Sequence, residues 1–131
     1  MAAGAAMTAG DVVGVMAAGA IGAPARYLVD SWVGRRTSGS FPWATLLINV
    51  SGSFLFGLLT GLTAGRLLSE QSRLVLGTGF CGAYTTFSTF TFESAGLLGE
   101  GAVLSAVLNI TGSVVMAVLA AAAGLQLAAA V

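Results

Sequence analysis

The sequence contains no histidine, and all five of its basic residues are arginine, so lysine is absent. Five acidic residues balance them to a net charge of zero. Without a basic patch the chain is not built for nucleic acid. Cys81 is the single cysteine, which excludes an internal disulfide and a Cys/His metal site. No nucleophile–base pair or metal cluster is visible, so enzymatic chemistry is not expected. Charged residues make up only 8% of the chain, against about 25% in an ordinary soluble domain.

What is present is apolar. Hydrophobic residues make up 56% of 131 residues, and mean hydropathy is +0.94. A chain of this composition hides its surface in lipid. One membrane helix needs about 20 apolar residues. Four such helices, at about 12–33, 42–64, 74–98 and 102–128, use nearly all of residues 1–131 as a single transmembrane domain. The segment Met1 to Gly10 carries no basic residue, so no secretory signal is expected and the first apolar stretch stays in the mature protein. Gly14, Ala18 and Gly22 in helix 1, and Gly57, Gly61 and Gly65 in helix 2, recur every four residues, as close-packed membrane helices require. Pro42 suits the first turn of helix 2, and Trp43 suits the membrane interface. Arg66 to Arg73 reads as a short polar loop.

Orientation follows the Lys/Arg bias of the loops. Arg66 and Arg73 lie on one side, and Arg35 and Arg36 on the other, with Arg26 leaning towards the latter. So small a bias leaves two readings, a weakly oriented single topology and insertion in both directions.

Polar side chains inside membrane helices are costly and face protein or a water path. Thr45, Asn49 and Ser53 stand four residues apart on one face of helix 2. Ser105, Asn109 and Ser113 repeat that stripe on helix 4, and Asn49–Ser53 resembles Asn109–Ser113 as a weak parallel repeat. A lone Ser or Thr reads as an interhelical hydrogen bond worth about 0.6 kcal/mol. Two stripes, each centred on Asn, point to a polar pathway.

The middle of helix 3, from Gly77 to Glu93, holds three glycines and a run of Thr and Phe, all poor helix formers. A break near Gly82 to Thr86 frees backbone carbonyls, which at membrane depth must be buried in protein or bind something. Free carbonyls suit a hard cation such as Na⁺; the alternative is a glycine-rich packing site. Phe87 and Phe90 share a face if helix resumes, and their positive ring edges, with Asn and hydroxyl donors, suit an anion path. Glu93 reads as the end of that track or as an interfacial residue. Arg26 with Asp30 at i+4 reads as an anchor or a pore entrance.

Three segments together resemble the Fluc (CrcB) fluoride channels. They are Gly22-Ala23-Pro24-Ala25-Arg26-Tyr27, Thr45 to Ser53 around Asn49, and the run Gly79 to Phe90 containing Thr-Thr-Phe-Ser-Thr-Phe. The resemblance implies an all-helical, dual-topology homodimer with antiparallel subunits and two fluoride pores at their interface. It implies Asn49, Phe87 and Phe90 as pore residues, and Ser88, Thr89 and Glu93 as a polar track. Thr111 or Ser113 would contribute from helix 4. It implies a central structural Na⁺ held by the carbonyls of Gly82 and Thr85, and Arg26 near the pore entrance. The chain departs from the pattern at Pro24, inside helix 1, and at Asn109, where a tyrosine is expected. Thr45, Ser53, Asn109 and Ser113 complete the candidate pore residues.

The expected function is passive export of fluoride across the cell inner membrane by a multi-pass channel. The rival is a small dual-topology multidrug-type exporter, which needs a carboxylate in the middle of helix 1. Helix 1 has only Asp11 and Asp30, both near its ends. A structural subunit packed by its glycine faces leaves the Asn stripes and the helix 3 break unexplained.

Overall fold

The computed structural model describes residues 6–131. The leader question at Met1 to Gly10 falls partly on residues 1–5, outside the described residues. All regular elements among the described residues are helical.

Helix α1 spans Ala9–Gly34, three residues earlier than the periodicity suggests. The extension comes from a capping box. Thr8 Oγ1 accepts from the Asp11 N–H at 3.2 Å, and the Thr8 N–H donates to Asp11 Oδ2 at 2.8 Å. Pro24 lies inside α1 without ending it. Helix α2 spans Trp43–Ala64, with Pro42 as its N-cap rather than in its first turn.

The expected 66–73 loop is partly helical, because Ser69 Oγ caps Glu70–Arg73 by accepting from the Ser72 N–H at 3.0 Å. That turn starts α3, which continues as a π-helical stretch Leu74–Cys81 and a last turn Gly82–Tyr84. The chain is then extended at Thr85 (ψ 164°) and resumes as α4, Ser88–Gly99. Helix α5 spans Val103–Ala129. The break expected at Gly82 to Thr86 thus falls at 85–87.

Helices α1, α2 and α5 are each long and apolar enough to cross a membrane. Helices α2 and α5 form the most extensive pair. Their backbones meet at Gly57, against Ala121, and at Gly124, against Phe54 and Leu58, where a side chain would strike main-chain atoms. The face predicted on α1 packs on α3: Gly22 abuts the Phe80 carbonyl and Gly14 abuts Val75. Gly65, by contrast, lies near only its own helix. Gln71 Nε2 donates to Asp11 Oδ1 at 2.7 Å and ties the start of α3 to the start of α1.

Candidate functional site

The break at 85–87 removes helical partners from the main chain, and within a membrane each such orphan is costly. Asn49 replaces two of them. Its Nδ2 donates to the Thr86 carbonyl at 2.9 Å, and the Thr86 N–H donates to its Oδ1 at 2.8 Å. This amide–peptide clamp joins residues 37 apart in sequence. Thr86 also starts α4: its Oγ1 accepts from the Thr89 N–H at 3.2 Å and donates to Thr89 Oγ1 at 3.0 Å.

Both diversions bear on the carbonyls singled out in the sequence. In a continuous helix the Thr86 N–H returns to the Gly82 carbonyl, and the Thr89 N–H to the Thr85 carbonyl. Here the first goes to Asn49 and the second to the Thr86 hydroxyl. Gly82 and Thr85 thus lose their helical donors, while the Cys81 carbonyl keeps Thr85 N–H at 2.9 Å.

Two cavities meet at the clamp. One, of about 280 Å³, is lined by Asn49, Ser53, Thr86, Phe87, Phe90 and Ser113. The Phe87 and Phe90 rings stand 5.9 Å apart, tilted by 40°. The other, of about 200 Å³, is lined by Arg26, Tyr27, Asp30, Thr45, Thr86 and Thr89. Thr86 belongs to both walls. Arg26 and Asp30 share the second cavity, and no ion pair between them within 4.0 Å is found among the described residues. Thr45 is buried and lies beside Glu93, whose Oε2 is buried without a hydrogen-bond partner among the described residues.

The remaining candidates are placed differently. Ser88 is exposed, 3.4 Å from the Thr86 hydroxyl. Thr111 is exposed and donates to its own helix at Val107. Asn109 is fully buried and lines neither cavity; its Nδ2 donates to Ser94 Oγ at 2.9 Å. Thr86 and Ser94 are the residues sequence reasoning missed. The Thr86-x-x-Thr89 spacing carries a capping signal, but nothing in the sequence pairs Ser94 with Asn109.

An interrupted helix whose freed main chain is gathered by a half-buried amide, between two cavities that each carry polar side chains, is an arrangement of the channel and transporter class of membrane protein. The sequence matches the family described as CrcB-like protein, Camphor Resistance (CrcB), over residues 13–125. A Nitrobacter winogradskyi protein called Fluoride-specific ion channel FluC is 45% identical over 117 residues, covering 88% of this chain and 93% of its own length. Fluoride-specific ion channel FluC 1 of Frankia casuarinae is 47% identical over 122 residues, 89% of this chain and 95% of its own. Fluoride-specific ion channel FluC 2 of Mycobacterium bovis is 44% identical over 124 residues, 95% of each chain. This chain belongs to the CrcB family.

Proposed function

We propose that this protein is a fluoride-selective channel of the cell inner membrane, conducting passively and lowering cytoplasmic fluoride. The observation that carries the reading is the cavity where Asn49, Ser53, Ser113 and the Phe87–Phe90 pair converge on the break. The second Nδ2 hydrogen of Asn49 and the Ser53 hydroxyl are neutral donors, the rings present positive edges, and the lining carries no formal positive charge. Fluoride is small and strongly hydrated, so its path must replace water with many short hydrogen bonds. Chloride gains less from the same donors. Thr45, Thr89, Ser88 and Glu93 extend this track, and Arg26 serves the entrance. The relatives named as fluoride-specific channels support the same reading. A multidrug-type exporter lacks support: Asp11 is committed to the α1 cap and Gln71, and Asp30 lies one turn from the α1 end.

The working unit in this reading is an antiparallel homodimer in which α3 and α4 together make a fourth crossing. Phe87 is 76% exposed on the single chain, and the cavity beside it carries Asn49, Ser53 and Ser113 in an otherwise largely apolar wall, polar groups that are costly to leave against lipid. A second copy covers it. The same pairing supports a structural Na⁺. Two main-chain oxygens relieved of their donors, Gly82 and Thr85, are hard ligands of the right kind, and a second copy completes the set. Bound there, the ion would neutralise converging carbonyl dipoles. Purification in large organic cations instead of Na⁺ should lower the melting temperature, and Na⁺ should restore it. An unchanged melting temperature argues against the ion.

Proteoliposomes loaded with potassium fluoride or chloride, with a potassium ionophore setting the voltage, test the channel reading. Fluoride should leave rapidly and chloride should stay. Phe87→Ile and Phe90→Ile keep much of the volume but lose the ring edge, so fluoride efflux should fall while the fold persists. Equal chloride efflux, or wild-type efflux from both variants, refutes the reading; efflux without ionophore dependence favours a coupled transporter.

A further inference from the structure

Asn109 stands behind the pore wall and touches both of its sides. Its Nδ2 donates to Ser94 Oγ at 2.9 Å, and its Oδ1 accepts from Ser113 Oγ at 3.3 Å. Ser94 Oγ in turn donates to the Phe90 carbonyl at 2.7 Å. The direction of this chain is fixed by its last member. A carbonyl only accepts, so the single Ser94 proton goes to Phe90 and Ser94 must accept from Asn109. The amide nitrogen therefore faces Ser94 and the amide oxygen faces Ser113. Ser113 then gives its only proton to Asn109 and turns lone pairs towards the cavity it lines with Phe90.

Helix α4 depends on this tie. Its first turn is held at the break by Thr86, which is clamped to Asn49, and the Ser94–Asn109 tie holds its middle. Within the chain, Ser94 and Leu97 are its only buried residues. Its main packing partner is α5. Ser94–Asn109 is the one side-chain hydrogen bond found between α4 and α5 among the described residues. A shift of α4 along α5 moves Phe90 relative to Asn49 and Ser113.

We propose that Asn109 is a positioning residue for the ion path: through Ser94 it holds the Phe90 backbone in register with α5, and through Ser113 it sets the hydrogen-bonding direction of the facing wall. It need not touch the ion. This rests on the fluoride-channel reading above and adds a residue that acts from outside the cavity.

The test is a double-mutant cycle of Asn109→Ala and Ser94→Ala in the full chain, reconstituted in liposomes. Initial fluoride efflux is read against fluoride concentration, and chloride efflux alongside it. Misplacing Phe90 should raise the half-saturating fluoride concentration on the order of tenfold and narrow the fluoride-to-chloride ratio. Loss of folded protein alone lowers only the amplitude. Because the two residues act in one chain, the double variant should be no worse than the worse single one. Multiplying effects, an amplitude loss alone, or unchanged kinetics overturn the proposal. If Asn109→Ala yields no folded protein, Ser94→Ala alone must show the shift, and its absence overturns the proposal. A wild-type protein that passes no fluoride instead refutes the channel reading on which this one stands.

Discussion

Asn49→Asp should abolish fluoride efflux, with Asn49→Leu intermediate between it and the wild type. The clamp on Thr86 needs one donor and one acceptor from the same side chain. Aspartate retains the acceptor for the Thr86 N–H but has no donor for the Thr86 carbonyl, and it sets a negative oxygen against that carbonyl. Leaving a buried group unsatisfied costs about 1–3 kcal/mol. The charge adds a second loss. At about 5 Å from a passing anion, with an effective dielectric of about 20, the repulsion is ~3 kcal/mol, more than a hundredfold in occupancy. Leucine loses both hydrogen bonds without adding charge, which separates the two effects. Efflux per folded protein, with helicity and chromatographic profile as controls, is the measurement. Wild-type efflux from Asn49→Asp would place the ion path elsewhere.

Adding lysines to a single loop should silence the protein, and pairing two oppositely biased versions should restore it. The native bias is almost nil, with Arg66 and Arg73 set against Arg35 and Arg36. Arg36 stacks on Trp32 at 4.2 Å and Arg73 pairs with Glu70 at 2.8 Å, so both sides hold their arginines in modest local contacts. Lysines in the 65–69 loop should force one orientation, and lysines in the 35–42 loop the other. An antiparallel dimer needs both. Each biased version expressed alone should therefore leave cells fluoride-sensitive, and co-expression should return resistance. Full resistance from one biased version would sink the antiparallel dimer while leaving the ion path untouched.

The sequence by itself determined the apolar character of the chain, its three long apolar helices and the interruption of the third segment, though the break lies at 85–87 rather than 82–86. Composition decides these, because lipid demands long apolar runs and a Gly/Thr/Phe-rich stretch is a poor helix. It also determined which polar residues share a helix face, since spacing alone sets that. Thus Asn49 and Ser53 fell in one cavity, with Phe87 and Phe90 beside them. Local capping was not read from the sequence: Thr8 with Asp11, and Ser69 with Ser72, lengthened two helices beyond the apolar pattern. Only the tertiary structure decided what each polar face meets. Asn49 and Asn109 look equivalent in sequence, each in the middle of a four-residue stripe. One faces the severed main chain at Thr86 and lines the cavity; the other is shut between α4 and α5, with Ser94. The difference is physical. Periodicity fixes a side chain's direction on its own helix. The neighbour it meets depends on how helices cross, and here backbone contacts at Gly57, Gly124 and Gly22 govern that crossing.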